Sequence, residues 1–378
     1  MRRTALEELV LQLRLLELGG ADPGEFLQKA PEPPARAAVS CAVRNLVAIG
    51  ALGRTEDLPL TPLGFHLAHM PVDARTGKML VYGALCRCLA PMLTVAACLS
   101  HKSPFVRTFS REKEDKQQRK RQENFGHLCS DHLAVVAAYD LYQEAKRSGK
   151  RDAVRHLCDE LGLSFSALDG MSQLRGQFLR HLVETGFAEA DSEDGGEHVN
   201  AHKVDLALVR CVLCAGLFPN VVQVQGHMTP YGRKVVLVSR EKEKCAVHPS
   251  SINARQLHDF AANHAWLLYH TKVKTSQIFL HDSTLIGSIP MLLFGGELKV
   301  NKARSHVMMD GMLFNAKEEA TAVLLKMLRR EVDRLLLLKV ADPSADLTET
   351  AGPLLLTIAK LLQLEELRSS GLKPHADR

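Results

Sequence analysis

The feature that most constrains the fold is a change in hydrophobic periodicity in the second half of the 378-residue chain. Residues 61–187 repeat apolar side chains at helical spacing, whereas residues 221–300 contain short apolar runs typical of strands. An acidic, glycine-bearing loop at residues 191–197 lies between the two patterns and marks a boundary. Because separate blocks of helices and strands indicate α+β folds or separate domains, we predict a multidomain α+β protein.

The first half predicts two helical units. A helix from the proline pair at 33–34 to residue 49, then a short hairpin at 52–60, indicates a winged helix over residues 1–68. A generic helical hairpin with a loop fits the same pattern. Residues 69–190 predict an all-α helical bundle, because proline and glycine separate successive helical runs. We expect these helices at residues 73–88, 91–99, 111–124, 130–147, 151–161 and 165–186.

The second half predicts a small β-barrel over residues 200–342. We expect strands at 221–225, 234–239 and 297–300 and in the region 266–279, with a helix near 285–293. Short strands with one embedded helix suit a barrel of the OB type. An amphipathic helix at 316–339 follows, and the tail at 343–378 holds a leucine-rich helix to which the sequence assigns no role.

Positive charge is concentrated in one part of the chain. The formal net charge is +5, and residues 226–274 alone contain eight Lys or Arg against three acids, which is also +5. The remainder is therefore close to neutral. A local basic surface attracts polyanions such as nucleic acids.

Residues 269–280, YHTKVKTSQIFL, are the strongest candidate for a binding element. In a β-strand one face would carry His270, Lys272, Lys274 and Ser276 at a pitch of about 6.6 Å. The other face would carry Tyr269, Thr271, Val273 and Thr275, which suits a half-buried sheet. Cations and hydroxyls at this pitch can follow a phosphodiester chain, and a merely solvated sheet face gives the same pattern.

The sequence contains no motif that indicates catalysis. No GxxxxGK[ST] is present, so no phosphate-binding P-loop is predicted. No DExx motif occurs in a strand-then-turn setting, and GxSxG, HExxH and GxGxxG are absent from the sequence. A catalytic site whose members meet only in space stays open. We expect the purified chain to show no ATPase activity.

The nine cysteines are scattered, which favours free thiols in a reducing compartment. Cys211 and Cys214 have the spacing of a zinc knuckle, but they lie in an apolar, helix-like run without a second ligand pair, so buried thiols are the favoured interpretation. Charged residues interrupt the leucine-rich start, and no long apolar run occurs. We therefore expect a cytoplasmic or nuclear protein that is neither secreted nor membrane-bound.

Eight separated motifs resemble the C-terminal region of DEAH/RHA-type DExH-box RNA helicases and follow the order of that family. They include LTPLGFHLAHMPVDARTGKML, SDHLAVVAAYDLY, LCAGLFPNVVQV, HPSSIN and WLLYHTKVKTSQIFLHDS. The resemblance covers roughly residues 1–342. It implies a winged helix, a helical ratchet domain and an OB-fold, which in the family pack against two RecA-like motor domains. The chain is then expected to be a fragment or, alternatively, a separately encoded paralogue without the motor.

The resemblance implies that the chain clamps single-stranded RNA, or binds structured RNA, while RecA-like domains use ATP and Mg²⁺. No cofactor is expected in the chain itself. An alternative function is a protein-interaction platform for helicase cofactors, such as G-patch proteins, without RNA affinity. On the ratchet, Ser130, Asp131 and His132 lie in a family motif, with a helix N-cap the favoured role for Ser130 and Asp131. The RNA-binding candidates are His270, Thr271, Lys272, Lys274, Ser276, His248, Ser250, Lys299 and Ser103.

Overall fold

The computed structural model has a helical first half, a closed β-barrel and a group of C-terminal helices, as the sequence predicts. It describes residues 6–18, 22–108, 110–190, 192, 194–229, 232–257, 266–301, 306–315 and 318–369. The predicted boundary loop falls partly outside them, at Asp191 and Glu193. None of the described helices is long and apolar enough to cross a membrane.

The winged helix is built from short helices and a small wing. Leu52 and Leu60 form an isolated antiparallel bridge at the expected hairpin. The helices are α1 (Leu6–Leu15), α2 (Pro23–Leu27), α3 (Arg36–Ile49) and α4 (Pro62–His69). Gly50 ends α3 in the left-handed conformation that glycine tolerates best.

The ratchet domain consists of the predicted helical run. Its helices are α5 (Ala74–Leu85), α6 (Leu89–Leu99), α7 (Arg111–Phe125), α8 (Asp131–Arg147), α9 (Arg151–Leu161) and α10 (Phe165–Glu184). α5 is buried along nearly its whole length, as is α11 (Leu206–Leu217). The two helices pack closely at Gly216, where an added Cβ would lie 2.6 Å from the Cβ of Met79. This contact joins the ratchet to the region that precedes the barrel.

The barrel closes in the order β1-β2-β3-β5-β4, with β4 pairing back onto β1. Its strands are β1 (Val221–Thr229), β2 (Gly232–Ser239), β3 (Lys244–Val247), β4 (Trp266–Lys274) and β5 (Ile278–Ile286). Its interior is filled by apolar side chains, including Val222, Leu237, Val247, Leu267 and Leu280. The predicted OB-like barrel is therefore confirmed.

Several details of the barrel prediction were wrong, among them the strand at 297–300, which belongs to a separate three-stranded sheet. The region 266–279 holds not one strand but the end of one and the start of another, because residues 275–277 turn the chain. The helix expected from 285 begins later, as α12 (Ser288–Phe294), since Leu285 and Ile286 pair with β4. Strand β3 was not predicted.

A three-stranded sheet and two long helices complete the chain. The sheet contains β6 (Leu298–Asn301), β7 (His306–Met309) and β8 (Met312–Asn315). They are followed by α13 (Glu319–Ala341) and α14 (Thr348–Ser369). The tail is an integral part of the fold, because Glu365 of α14 accepts hydrogen bonds from the backbone N–H groups of Ser288 and Ile289 at the start of α12.

Candidate nucleic-acid interface

A polar cleft lies between the ratchet domain and the barrel and has a volume of about 380 Å³. We call it the ratchet–barrel cleft. The ratchet contributes Ser103 and Arg107 from the extended segment before α7, and the barrel contributes His248, Ser250 and His281. Three of the sequence-predicted residues therefore meet here, although Ser103 is almost 150 positions from the other two.

Asp131, the first residue of α8, fixes the relative position of the two domains. Its Oδ2 accepts hydrogen bonds from the Ser251 hydroxyl at 2.5 Å and from the N–H and hydroxyl of Ser283 at 2.7 and 3.1 Å. Its Oδ1 accepts from the N–H of Ile252 at 2.9 Å. Burial raises the pKa of Asp131, and these hydrogen bonds oppose that rise. The carboxylate thus joins the loop after β3 and the middle of β5 to the ratchet.

The neighbours of Asp131 complete the domain contact. Ser130 is the N-cap of α8, as expected, because its hydroxyl accepts from the N–H of Leu133 at 3.0 Å. The hydroxyl of Ser130 also lies 2.6 Å from that of Thr284, which in turn lies 2.7 Å from Nδ1 of His132. Burial, and then the nearby His270, lower the pKa of His132 to about 3. His132 is therefore a neutral, structural residue.

The HPSSIN loop combines structural residues with exposed ones. Ser251 and Asn253 are buried, and Asn253 donates to the carbonyl and hydroxyl of Ser283. Ser250 is exposed, and its N–H donates to Nδ1 of His248 at 3.3 Å. The Ser250 hydroxyl lies 2.6 Å from the same nitrogen. In the tautomer whose Nδ1 accepts these bonds, the imidazole proton is on Nε2.

His248 stacks on His281, with ring centroids 4.1 Å apart. Burial lowers the pKa of His248, and the neighbouring His281 and Arg107 lower it further. The imidazole of His248 is therefore neutral at pH 7. The acids that line the cleft are Asp131, which already accepts four hydrogen bonds, and Asp282.

The predicted row of side chains on β4 is interrupted. Tyr269 and Leu280 both belong to the barrel interior, and Leu280 is the cross-strand partner of Lys272. Because directly opposed residues share a face, Lys272 lies on the same side as Tyr269, contrary to strict alternation. The interruption coincides with Asp282, whose φ of +52° breaks the regular strand geometry. His270, Lys272 and Lys274 therefore do not form one uniform row.

The end of the β4–β5 hairpin projects beyond the barrel, because every residue from Thr271 to Gln277 is exposed. The expected half-buried face is thus found only up to Tyr269. Thr271 pairs with His281 and lies beside the ratchet–barrel cleft. Lys274 ends the strand, and Ser276 lies in the turn rather than in the strand.

The local charge excess is partly neutralised in the fold. Lys272 binds Glu241 and Glu243 at 3.3 and 3.1 Å, and Arg240 lies 3.5 Å from Asp310. Lys299 is exposed on β6, in the separate three-stranded sheet, and so lies outside the barrel. The cationic residues predicted to act together are therefore distributed over different surfaces.

Sequence reasoning missed Arg107 and His281. Arg107 lies in the extended segment before α7, which begins at Arg111 as the sequence predicts, and no motif marked it as a candidate. Residues two and four positions apart share a face in an extended segment, so the candidate Ser103 was the signal that could have pointed to Arg107. His281 had no comparable signal, since its stacking partner His248 comes from the loop after β3.

Four family models match consecutive parts of the chain. They are the winged-helix helicase associated domain (HA2) at residues 42–72, its ratchet-like domain at 73–135, the oligonucleotide/oligosaccharide-binding (OB) fold at 209–298 and the C-terminal domain in RNA helicases at 305–364. The chain belongs to the DExH-box RNA helicase family, as its C-terminal accessory region.

Similar proteins include the DExH-box ATP-dependent RNA helicase DExH1 of Arabidopsis thaliana, 38% identical over 96% of this chain and 35% of the relative. The human ATP-dependent DNA/RNA helicase DHX36 is 38% identical over 90% of this chain and 33% of the relative. The mouse ATP-dependent RNA helicase DHX29 is 32% identical over 96% of this chain and 26% of the relative. The chain thus spans between about a quarter and a third of the length of these relatives.

Two cysteines of interest lie away from the cleft. Cys211 and Cys214 are completely buried in α11, and burial raises the pKa of both thiols, that of Cys214 to about 12. Among the described residues no group of His, Cys, Asp and Glu is arranged to hold a metal ion. The interpretation of this pair as buried thiols is confirmed.

Proposed function

We propose that this chain binds single-stranded RNA along the sugar-phosphate backbone, as the accessory half of an ATP-dependent RNA helicase. The observation that carries the proposal is the convergence of Ser103, Arg107, His248, Ser250 and His281 from two domains on one cleft. Guanidinium, hydroxyl and imidazole N–H groups are the donors that bind phosphate oxygens.

The proposed path of the RNA leaves the cleft at Thr271 and continues along the exposed end of the β4–β5 hairpin. Lys274 and Ser276 offer a cation and a hydroxyl there. His270 lies in the same strand, β4, just before Thr271. Lys272 contributes less, because it must first release Glu241 and Glu243. Lys299 lies on β6, in the separate three-stranded sheet, and is proposed only as a secondary site.

Base recognition along this path is expected to be weak. Phe279 lies beside His248, and Phe105 lines the cleft with the Arg121 guanidinium over its ring. The rest of the path presents hydroxyls, imidazoles and cations rather than flat aromatic platforms. Stacking on aromatic side chains is what commonly holds bases in single-strand binding proteins. We therefore propose backbone clamping with little sequence preference.

The motor function is proposed to reside in RecA-like domains outside this chain. ATP and Mg²⁺ would bind there, since the sequence of this chain contains no P-loop. The relatives named as ATP-dependent helicases are three to four times longer than the matched region. G-patch-type cofactors stay a prediction from the resemblance.

The test is the binding of a fluorescein-labelled oligouridylate, followed by anisotropy at several salt concentrations. Arg107→Ala is expected to weaken binding by about fivefold to tenfold and to reduce the slope of log affinity against log salt by about one. The matched control is Arg330→Ala, which removes a guanidinium from α13 that is also exposed.

The proposal is overturned if Arg107→Ala and His248→Ala both bind oligouridylate with the affinity and the salt slope of the wild-type chain. Equal losses in Arg107→Ala and Arg330→Ala would also contradict it, because they would indicate diffuse attraction to the whole surface. Absence of any oligouridylate binding at low salt by the folded chain would favour the interaction-platform alternative.

A further inference from the structure

A second cavity, of about 750 Å³, lies within the ratchet domain between α7, α9 and the start of α10. We call it the ratchet groove. Its floor is apolar and is formed by Val106, Val154, Cys158, Leu163 and Phe165. None of these residues touches the proposed RNA path, so the groove needs an explanation of its own.

The floor leaves apolar surface open to solvent. α9 places Val154, Leu157, Cys158 and Leu161 on one side, yet only Leu161 is fully buried. The side chain of Phe165 is 56% exposed and that of Val106 is 40% exposed. Continuous apolar surface of this kind on a folded domain commonly marks a binding site.

The rim of the groove is basic. Lys150, Arg151 and Arg155 are exposed, and no carboxylate in the described part of the chain lies within ion-pairing distance of them. Lys146 and Lys113 are partly neutralised, by Asp169 at 3.6 Å and Asp159 at 2.6 Å. The uncompensated positive charge therefore borders the apolar floor on the α9 side.

The walls of the groove are firmly held. Arg121 of α7 donates to the carbonyls of Leu161, Gly162 and Val106 at 2.6, 3.1 and 2.9 Å. Gly162 ends α9 with a φ of +63°, and an added Cβ there would lie 2.2 Å from the Arg121 guanidinium. The groove is therefore preformed, which lowers the entropic cost of binding.

We propose that the ratchet groove binds an acidic, amphipathic peptide segment of a partner protein. Apolar side chains of the peptide would fill the floor, and Asp or Glu residues would pair with Lys150, Arg151 and Arg155. This mode is the helix-in-groove type of recognition. RNA fits less well, because a phosphate backbone gains nothing from an aliphatic floor and Phe165 is the single aromatic side chain that lines the groove among the described residues.

The experiment is a selection from phage-displayed random peptides of about 15 residues, long enough for four helical turns. The wild-type chain is the target, and the Phe165→Asp variant is used for counter-selection. Asp is well tolerated at the first position of a helix, so this variant is expected to fold. We expect enriched peptides with apolar residues at helical spacing, flanked by acids.

Affinities of the enriched peptide, synthesised with a fluorescent label, then separate the floor from the rim. Phe165→Asp and Val154→Asp are each expected to weaken binding by about tenfold or more, and Arg155→Glu by about threefold to tenfold. Leu356→Asp on α14 is the matched control for the floor, because Leu356 is 54% exposed. Arg330→Glu is the control for the rim. Neither control is expected to change the affinity.

The proposal does not depend on RNA binding, and its failure is recognised separately. It is overturned if no peptide is enriched against the counter-selected variant, or if the enriched peptides are basic. Displacement of the peptide by oligouridylate, together with insensitivity to Val154→Asp, would identify the rim as an RNA surface and would equally reject it.

Discussion

The ratchet–barrel cleft and the ratchet groove lie on opposite sides of one extended segment, residues 103–108. Ser103, Phe105 and Arg107 line the cleft, whereas Val106 and Thr108 line the groove. Because successive side chains of an extended chain point in opposite directions, a single segment forms a polar wall on one side and a more apolar one on the other. Both sites have cations at the rim. The polar lining of the cleft and the apolar floor of the groove are therefore what would select different ligands.

The two sites also differ in how they are built. The cleft lies between two domains and depends on the contacts of Asp131 and His132 with the barrel. The groove lies inside the ratchet and depends on Arg121 and Gln117, which bind carbonyls at the end of α9. Disrupting the domain contact should therefore affect the cleft and spare the groove.

The largest effect is expected from Asp131→Asn. The new amide would place an N–H group against donors of Ser251 and Ser283, and buried donors without acceptors cost about 1–3 kcal/mol each. We expect the free energy of unfolding in urea to fall by about 3 kcal/mol, with weaker oligouridylate binding and unchanged binding of the groove peptide. Asp115→Asn, at an exposed site on α7, is the control. Equal losses of oligouridylate binding at the cleft and of peptide binding at the groove would contradict the comparison.

The next effect is a pH dependence that belongs to the domain contact. The pKa of His132 is about 3 in the folded chain and about 6.5 when unfolded, so the unfolded state binds more protons between these values. The contribution of neutral His132 to stability is therefore full well above pH 6.5 and is lost as the pH falls, with about 2 kcal/mol lost by pH 5. Urea unfolding of His132→Gln should lack this component, whereas His156→Gln, altered at an exposed site, should retain it. Identical pH profiles for all three chains would contradict the assignment.

A pair of charge reversals tests whether the two sites recognise different ligands. Arg107→Glu should weaken oligouridylate binding by about tenfold and leave the groove peptide within about twofold, because its side chain lines only the cleft. Arg155→Glu should have the opposite pattern. Anisotropy titrations of both ligands with both variants measure this, and parallel losses would mean that the two sites act as one basic surface.

The smallest effect distinguishes two lysines of the hairpin. Lys274→Ala should weaken oligouridylate binding by about threefold, and Lys272→Ala by less than about twofold, because Lys272 already binds two carboxylates. The double variant Glu241→Gln, Glu243→Gln should raise the contribution of Lys272. A larger loss at Lys272 than at Lys274 would show that the ion pairs are exchanged for phosphate without cost.

Much of the fold could be predicted because its signals are local. The apolar spacing of α8 and α10 and the turn residues between the helices identified the ratchet before any contact was known. The hairpin of β4 and β5 was harder. Its turn at residues 275–277, TSQ, contains no glycine or proline. The sequence therefore predicted one strand where the structure has two.

The candidate site was predicted less completely than the fold. Ser103, His248 and Ser250 were expected in one function, and the fold brings them to one cleft. The row on β4 was expected from strict alternation, which the left-handed Asp282 interrupts across the strand pair. Arg107 and His281 acquire their positions from partners far away in the chain.

The sequence by itself determined the order of the domains, the identity of the helices and the family, since periodicity and motif order are properties of consecutive residues. Only the tertiary structure decided which donors share a cleft, which lysines are already paired and where apolar surface stays open. The reason is that charge pairing and burial depend on distances between elements. Those distances are set by contacts such as Asp131 with Ser283, which join residues about 150 positions apart.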